Sequence, residues 1–361
     1  MKILAVNPGS TSTKIAVYEG KSEIFKKNLE HSSEKIDQYS KIIDQFSMRK
    51  EEIIRSLADC GVSLNDLSAV VGRGGLLPPL KSGAYLVNEC MMSTLRSNTI
   101  SEHASNLGGL IAHSIAEPLG IPAYIYDPVS VDEMADIARI SGLKEIPRRS
   151  FSHVLNSRAM AMKASDKIGK KYFGLNIIVA HLGGGITLSI HQNGKMIDIM
   201  DDDEGPFSPE RSGRVSCKGL VELCYSGKYN KREMLKKLRG AGGLKDYLNT
   251  HDAQEVESMI ASGNEDAKVI YDAMAYQIAK GIGELATVVN GKVDIIVITG
   301  GLAYSRQLTE WIRKRVSFIA PVDVIPGENE LESLAYGAMR VLKGEEIANE
   351  YNISSEVSLK D

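Results

Sequence analysis

One local pattern occurs twice in this chain: an apolar strand, a turn rich in glycine or hydroxyl residues, and a returning strand. The first copy runs from Lys2 to Tyr18 and the second from Asn176 to Ile190. In the first, Ile3, Leu4, Ala5 and Val6 read as a buried strand, Asn7-Pro8-Gly9-Ser10 as the turn, and Ile15 to Tyr18 as the return. Proline presets φ and glycine relaxes it, so a hairpin is the natural product. In the second, Ile177 to His181 leads into Gly183-Gly184-Gly185, and Ile186 to Ile190 returns. The repetition reads as an internal duplication with one copy per domain. A length of 361 residues, 43% of them hydrophobic, supplies two cores.

The turns suggest what the hairpins are for. The first presents Ser10, Thr11, Ser12 and Thr13, then Lys14. Hydroxyls, backbone N–H groups and an ammonium together make a seat for phosphate, although an ordinary solvated turn has the same composition. The three-glycine turn lets backbone N–H groups approach an anion. A third strand, Asp294 to Thr299, ends in Gly300-Gly301, which permits flat approach of a base or ribose. Ligands of open α/β sheets bind beyond the carboxyl ends of strands. Three strand-then-glycine turns can therefore surround one nucleotide between two domains. The plain alternative is that each glycine pair merely turns a strand into a helix.

The rest of the chain sets bounds. A net charge of −3, from 43 basic and 46 acidic residues, argues against nucleic acid as a partner. Cys60, Cys90, Cys217 and Cys224 show no C-x-x-C pairing and read as reduced thiols. No stretch approaches a membrane span, so a soluble, cytoplasmic protein is expected. Helical spacing marks residues 31–60, His103 to Leu119, Val154 to Ile168, Asp266 to Val289 and Glu330 to Leu342. Gly281 and Gly283 weaken the fourth of these, which suggests close packing at both. Residues from about Tyr351 to Asp361 are polar and expected to fray.

Five motifs, in order along nearly the whole chain, carry a resemblance. They are N-P-G-S-T-S-T-K at Asn7 to Lys14, H-L-G-G-G at His181 to Gly185, E-R-S-G at Glu210 to Gly213, I-T-G-G at Ile298 to Gly301, and E-N-E-L-E-S-L-A at Glu328 to Ala335. The set resembles the acetate and butyrate kinase branch of the actin-like, hexokinase-like ATPase superfamily. That resemblance implies an α/β fold of two duplicated actin-like (ribonuclease H-like) domains with a nucleotide cleft between them. The expected domains are 1–149 with a returning C-terminal helix from about 329, and 150–328, the latter binding nucleotide and making oligomer contacts. It further implies ATP/ADP and Mg2+, a short-chain carboxylate substrate, and a homodimer or higher homo-oligomer.

Roles follow residue by residue. Arg73, in G-R-G-G after a strand, corresponds to the arginine that holds the substrate carboxylate, and Arg211, in R-S-G, to the one that stabilises the transferring phosphoryl. A guanidinium fork suits both anions; a surface arginine or a C-cap donor is the alternative for each, and the flanking glycines favour function. His153, in R-R-S-F-S-H, aligns with a phosphoryl-contacting histidine, with Phe151 one place earlier than in the family. His103 aligns with a substrate-side histidine, or is a polar residue at a helix start. His181 precedes the glycine turn Gly183, Gly184 and Gly185 and is the best placed histidine for phosphate; His31, His113, His191 and His251 read as structural or exposed. Asp127, in Y-D-P, matches the catalytic aspartate, with an Asx turn before Pro128 as rival. Asn7 and Glu330 fall on the metal side, although Glu328 and Glu332 stand near enough to compete and a first-turn acid is favoured by the helix dipole in any case. Ser10, Ser12, Lys14, Gly300 and Gly301 complete the nucleotide contacts. Asp201-Asp202-Asp203-Glu204 lacks calcium-loop spacing and reads as a loop.

The acid is expected to be butyrate or isobutyrate. Gly74-Gly75-Leu76 stands where acetate-using relatives carry Val-Val-His, and the absent side chain of Gly75 should make room for an acyl tail. An acetate or propionate kinase is the nearest rival. A non-catalytic actin-like scaffold is the rival from another class, and it would not need Arg73 and Arg211 together.

Overall fold

A computed structural model describes residues 1–97, 102–150 and 152–352. The chain divides into two compact units, Met1–Asp132 with Asn329–Asp361, and Glu133–Glu328. The first unit contains β1 (Lys2–Pro8), β2 (Ser12–Glu19), β3 (Ser22–Glu30), β4 (Leu67–Arg73), β5 (Ala84–Leu86), β6 (Ala123–Tyr126) and, late in the chain, the two-residue strand Asn349–Glu350. The second contains β7 (Asn176–Leu182), β8 (Ile186–Gln192), β9 (Lys195–Met200), β10 (Ile295–Gly300) and β11 (Val322–Pro326), so that Asn349–Glu350 is β12.

The two sheets share one plan. The first has the order β12-β5-β6-β4-β1-β2-β3, and the second β11-β10-β7-β8-β9. In each, three antiparallel strands form a meander (β1-β2-β3 and β7-β8-β9). Two further strands then add in parallel on the other side of the first hairpin strand (β4 and β6; β10 and β11). Ile3, Leu4, Ala5 and Val6 of β1 are fully buried, as are Ile296, Val297 and Ile298 of β10, because helices cover both faces of the parallel part.

In the first unit, the helix Asn106–Ala116 packs on β4, β6 and β1, and the helix Glu330–Leu342 packs on β1, β2, β4 and β6. Backbones touch where the first of these crosses β4. A Cβ on Gly72 would lie 2.1 Å from Gly108 O, and one on Gly108 would lie 2.2 Å from Arg73 O. This contact fixes the height of Arg73 above the helix. In the second unit, Val154–Lys167 covers β7 and β10, while Glu265–Val288 packs on β7, β8 and β9.

Several expectations need correction. Residues 31–60 are not one helical run: a turn of helix at Ser33–Ile36 and a 3-10 turn at Ile42–Gln45 precede the helix Phe46–Asp59. The edge strand β3 escapes the reading because most of its residues are exposed, so no alternation marks it. Residues 133–150 belong with the second unit. Ala135 N–H donates to Ile197 O, and Arg148 pairs with Asp198 and Glu204 at 3.0 and 2.8 Å. Tyr351 is not frayed: it is 3% exposed within the first core, and its carbonyl accepts from Asn88 Nδ2. Residues 353–361 of the expected frayed end lie outside the described residues.

Gly281 and Gly283 also part company. A Cβ at Gly281 would meet Leu188 Cδ1 at 2.3 Å, whereas nothing stands within 4 Å of one at Gly283. Gly281→Ala should therefore overpack the core and cost about 1–3 kcal/mol. Gly283→Ala should instead stabilise the helix by up to about 1 kcal/mol. Urea midpoints of the two variants, moving in opposite directions, check the assignment.

Candidate functional site

In the first unit the parallel strands β1, β4 and β6 deliver Asn7, Arg73 and Asp127 at their carboxyl ends, in the interior of the sheet. Glu330, the first residue of its helix, meets two of them: Asn7 Nδ2 donates to Oε2 and Arg73 Nη1 to Oε1. Glu330 is thus the glutamate beside Asn7. Glu332 instead neighbours Tyr336, and the Glu328 carbonyl accepts from Asn156. Asp127 is 3% exposed, accepts Gly83 N–H on Oδ1 at 2.7 Å and has a φ of 40°. Left-handed backbone is costly for a residue with a side chain and persists where the surroundings enforce it. His103 Nδ1 accepts Ser105 N–H at 3.2 Å, and shelter together with the Arg73 charge lowers its pKa.

The phosphate-type turn is held from behind by a residue that sequence reasoning missed. Arg49, fully buried, donates to the carbonyls of Gly9, Ser10 and Ser12 at 2.8, 3.0 and 3.0 Å, and to Thr13 Oγ1 at 3.0 Å. With these carbonyls drawn inward, Ser10 and Thr11 are left exposed at the tip. Thr13 Oγ1 then lies 2.9 Å from His31 Nε2, and His31 Nδ1 lies 2.9 Å from Glu52 Oε2. Lys14 stands opposite Asn7 in the hairpin register and is half-buried.

The space expected beside Gly75 does not exist. A Cβ there would lie 2.5 Å from Asn106 Oδ1 and 2.8 Å from Leu95 Cδ2. Asn106 occupies that side because its Oδ1 also accepts Leu76 N–H at 2.8 Å. Gly75 is small so that this loop can close on the helix, not to hold an acyl chain.

In the second unit His153 and His181 stack face to face, centroids 4.1 Å apart and planes at 17°. His153 Nδ1 is 3.1 Å from Thr187 Oγ1, and His181 Nδ1 is 2.8 Å from Asn156 Oδ1. An amide oxygen only accepts, so His181 carries a proton on Nδ1. Thr187 and Asn156 were not anticipated; the H-x-x-N spacing of His153 and Asn156 at a helix start is the signal that marks the latter. Phe151, which stands one place earlier than in the family motif, lies outside the described residues.

The glycine turn and Arg211 form one piece. A Cβ on Gly185 would lie 2.2 Å from Arg211 Nη1 and 2.4 Å from Cζ, so the guanidinium rests on bare backbone. Gly184 O accepts from Ser208 Oγ at 2.6 Å, and Gly183 N–H donates to Gly185 O at 3.1 Å. Arg211 Nη1 stands 2.8 Å from Asp202 Oδ2, so part of the acidic run read as a loop is tied to this arginine. Gly300, with φ of 92°, ends β10 against β7: a Cβ there would strike Leu182 O at 2.3 Å, while Gly301 is open on that side.

Two clusters of cations, imidazoles and glycine turns, one in each unit, are the equipment for phosphate chemistry. Known proteins agree in kind. The family model described as the acetokinase family matches residues 145–319. Butyrate kinase 2 of Clostridium acetobutylicum is 51% identical over 352 residues, 97% of this chain and 99% of that protein. This chain belongs to the acetokinase family. Among solved structures, acetate kinase of Porphyromonas gingivalis superposes with a TM-score of 0.78 at 21% identity, covering 94% of this chain and 99% of the other. A propionate kinase of Francisella tularensis gives 0.73 at 17% identity over 92% and 98%. These likenesses establish the fold, two duplicated α/β halves of the actin-like ATPase type.

For this acetokinase-family chain the brace behind the first turn has a pH signature. His31 is held neutral: burial lowers its pKa, and the Arg49 charge lowers it further. The unfolded chain takes up a proton near the ordinary value of 6.5 and the folded chain does so only at lower pH. The brace therefore contributes full stability above about 6.5 and loses it as pH falls through the depressed folded value. In His31→Gln, urea midpoints measured downward from neutral pH should fall less steeply than in wild type.

Proposed function

We infer that this chain is a butyrate kinase, which moves the γ-phosphoryl of ATP onto butanoate to give butanoyl phosphate and ADP. The observation that carries this reading is the 51% identity to butyrate kinase 2 of Clostridium acetobutylicum over 97% of the chain. The chemistry of the site agrees with it. A carboxylic acid is already ionised at neutral pH, so the nucleophile needs no general base. The obstacle is charge: two unit anions about 4 Å apart repel by roughly 4 kcal/mol at an effective dielectric of 20. Such a site works by positioning and by supplying positive charge to an in-line displacement.

In this reading Arg73 holds the butanoate carboxylate, with His103 beside it. Arg211 stabilises the transferring phosphoryl, and the His153–His181 stack contacts its oxygens. Asp127 orients an arginine or a water. The turns at Ser10–Lys14, Gly183–Gly185 and Gly300–Gly301 bind the nucleotide, with Asn7 at the phosphates. Among the described residues no three His, Cys, Asp or Glu side chains gather as a metal cage. Mg2+ does not need one, since it keeps several waters and travels with substrate phosphates on one or two carboxylates. The carboxylate of Glu330 and the amide of Asn7 suit that arrangement and would hold the ion, which when bound neutralises phosphate charge. Residues 133–328 form the nucleotide-binding domain and carry the contacts of a cytoplasmic homo-oligomer.

Trapping of acyl phosphate as hydroxamate, run with acids of two to five carbons, tests the reading. Butanoate or a branched four-carbon acid should give the highest kcat/KM, and no acyl phosphate from any acid would leave the scaffold alternative. Arg211→Ala should lower kcat by a hundred-fold or more with smaller changes in KM, as for a contact made mainly in the transition state. Arg73→Ala should raise the KM for butanoate by ten-fold or more while moving that for ATP little. Because Gly75 is closed in by Asn106 and Leu95, Gly75→Val should lower stability without changing the butanoate-to-acetate preference.

A further inference from the structure

Asp202 lies in the run Asp201–Glu204, which local pattern marks only as a loop, yet its carboxylate is 2% exposed. It receives two arginines. Arg239 binds in fork fashion, Nε to Oδ2 and Nη2 to Oδ1, both at 2.6 Å. Arg211 approaches with Nη1 at 2.8 Å from Oδ2. The backbone keeps these partners in register: Arg211 and Arg239 face each other in an antiparallel bridge, and Ser208 N–H donates to Arg211 O at 3.0 Å. On its other side the Arg211 guanidinium rests on Gly185, where a Cβ would come within 2.2 Å.

We propose that Asp202 is a positioning residue for phosphoryl transfer: it holds the Arg211 guanidinium down on Gly185 and so aims it at the transferring group. The inference rests on the reading of Arg211 given above. A long side chain on the rim of a site has many rotamers, and holding it in one before substrate arrives removes an ordering cost from the transition state. One carboxylate tether is the simplest device, but a private partner would also cancel the charge that catalysis needs. Arg239 resolves that conflict. It takes the bidentate geometry on Asp202, the trio carries a net charge of +1, and Arg211 keeps the carboxylate as a shared partner, not a private one. Burial opposes the charge on Asp202, but its bonds to Arg239 and the charge of Arg211 outweigh it and keep the carboxyl below its ordinary value, so the tether is ionised at working pH.

The test is a double-mutant cycle with kcat and both KM values as readouts, scored on acyl phosphate formation from butanoate and ATP. Asp202→Ala should lower kcat by ten- to a hundred-fold and leave both KM values within about three-fold. In an Arg211→Ala background the same change should cost less than about two-fold, because its effect runs through Arg211. Asp202→Asn, which preserves volume, carries the test if the alanine variant fails to fold, and its thermal midpoint certifies the fold. A folded Asp202 variant with wild-type kcat, beside a crippled Arg211→Ala, overturns this inference and leaves the role of Arg211 standing. Losses that multiply in the double variant overturn it as well, since Asp202 would then act apart from Arg211. Wild-type kcat in Arg211→Ala alone refutes the role of the arginine itself.

Discussion

Carboxylates hold the two arginines to which the proposed chemistry is assigned. Glu330 accepts from Arg73 in the first unit, and Asp202 stands against Arg211 in the second. Each pair solves the same problem. A site for two anions needs fixed positive charge, and a guanidinium on a flexible stem is not fixed until something short and oppositely charged restrains it. Both carboxylates also answer to a second donor, Asn7 on Glu330 and Arg239 on Asp202, so neither is devoted to its arginine alone.

What makes these tethers possible is the shared sheet plan. In both units a hairpin strand lies beside two parallel strands, and the residues proposed for the site occur where the parallel strands end: Asn7, Arg73 and Asp127 in one, His181 and Gly300 in the other. Close backbone contacts set the heights of these ends. The Gly72–Gly108 crossing seats β4 on its helix, and the approach of Gly300 to Leu182 seats β10 beside β7. Side chains at these positions would push the strand ends apart before any ligand was involved.

Legibility in the sequence followed the range of the interaction. The hairpins, their turns and the helix at Glu330 were readable because periodicity and turn chemistry are local signals. Arg49 and Asp202 were not, since each acquires its meaning from partners distant in the chain. Arg49 looks like one charged residue in an amphipathic helix until the fold brings the turn of Gly9–Ser12 to it. Asp202 looks like one acid among four until Arg211 and Arg239 arrive. Gly75 shows the opposite error: a missing side chain reads as empty space, but here a neighbour, Asn106, already fills the volume.

The helix Glu330–Leu342 closes the first sheet, lying on β1, β2, β4 and β6, yet it is made after all of the second unit. Its buried face, including Leu331, Leu334, Ala335 and Ala338, reaches that side of the sheet only when the helix has been made. The unit that leaves the ribosome first is therefore the one that finishes last, with part of its apolar sheet exposed while the second unit folds. Such surface is what chaperones bind and what aggregates when translation stalls. A fragment ending at Asp132 would be an unfinished sheet and not a domain, and the protein can be divided for expression only if the C-terminal helix is supplied with the N-terminal strands.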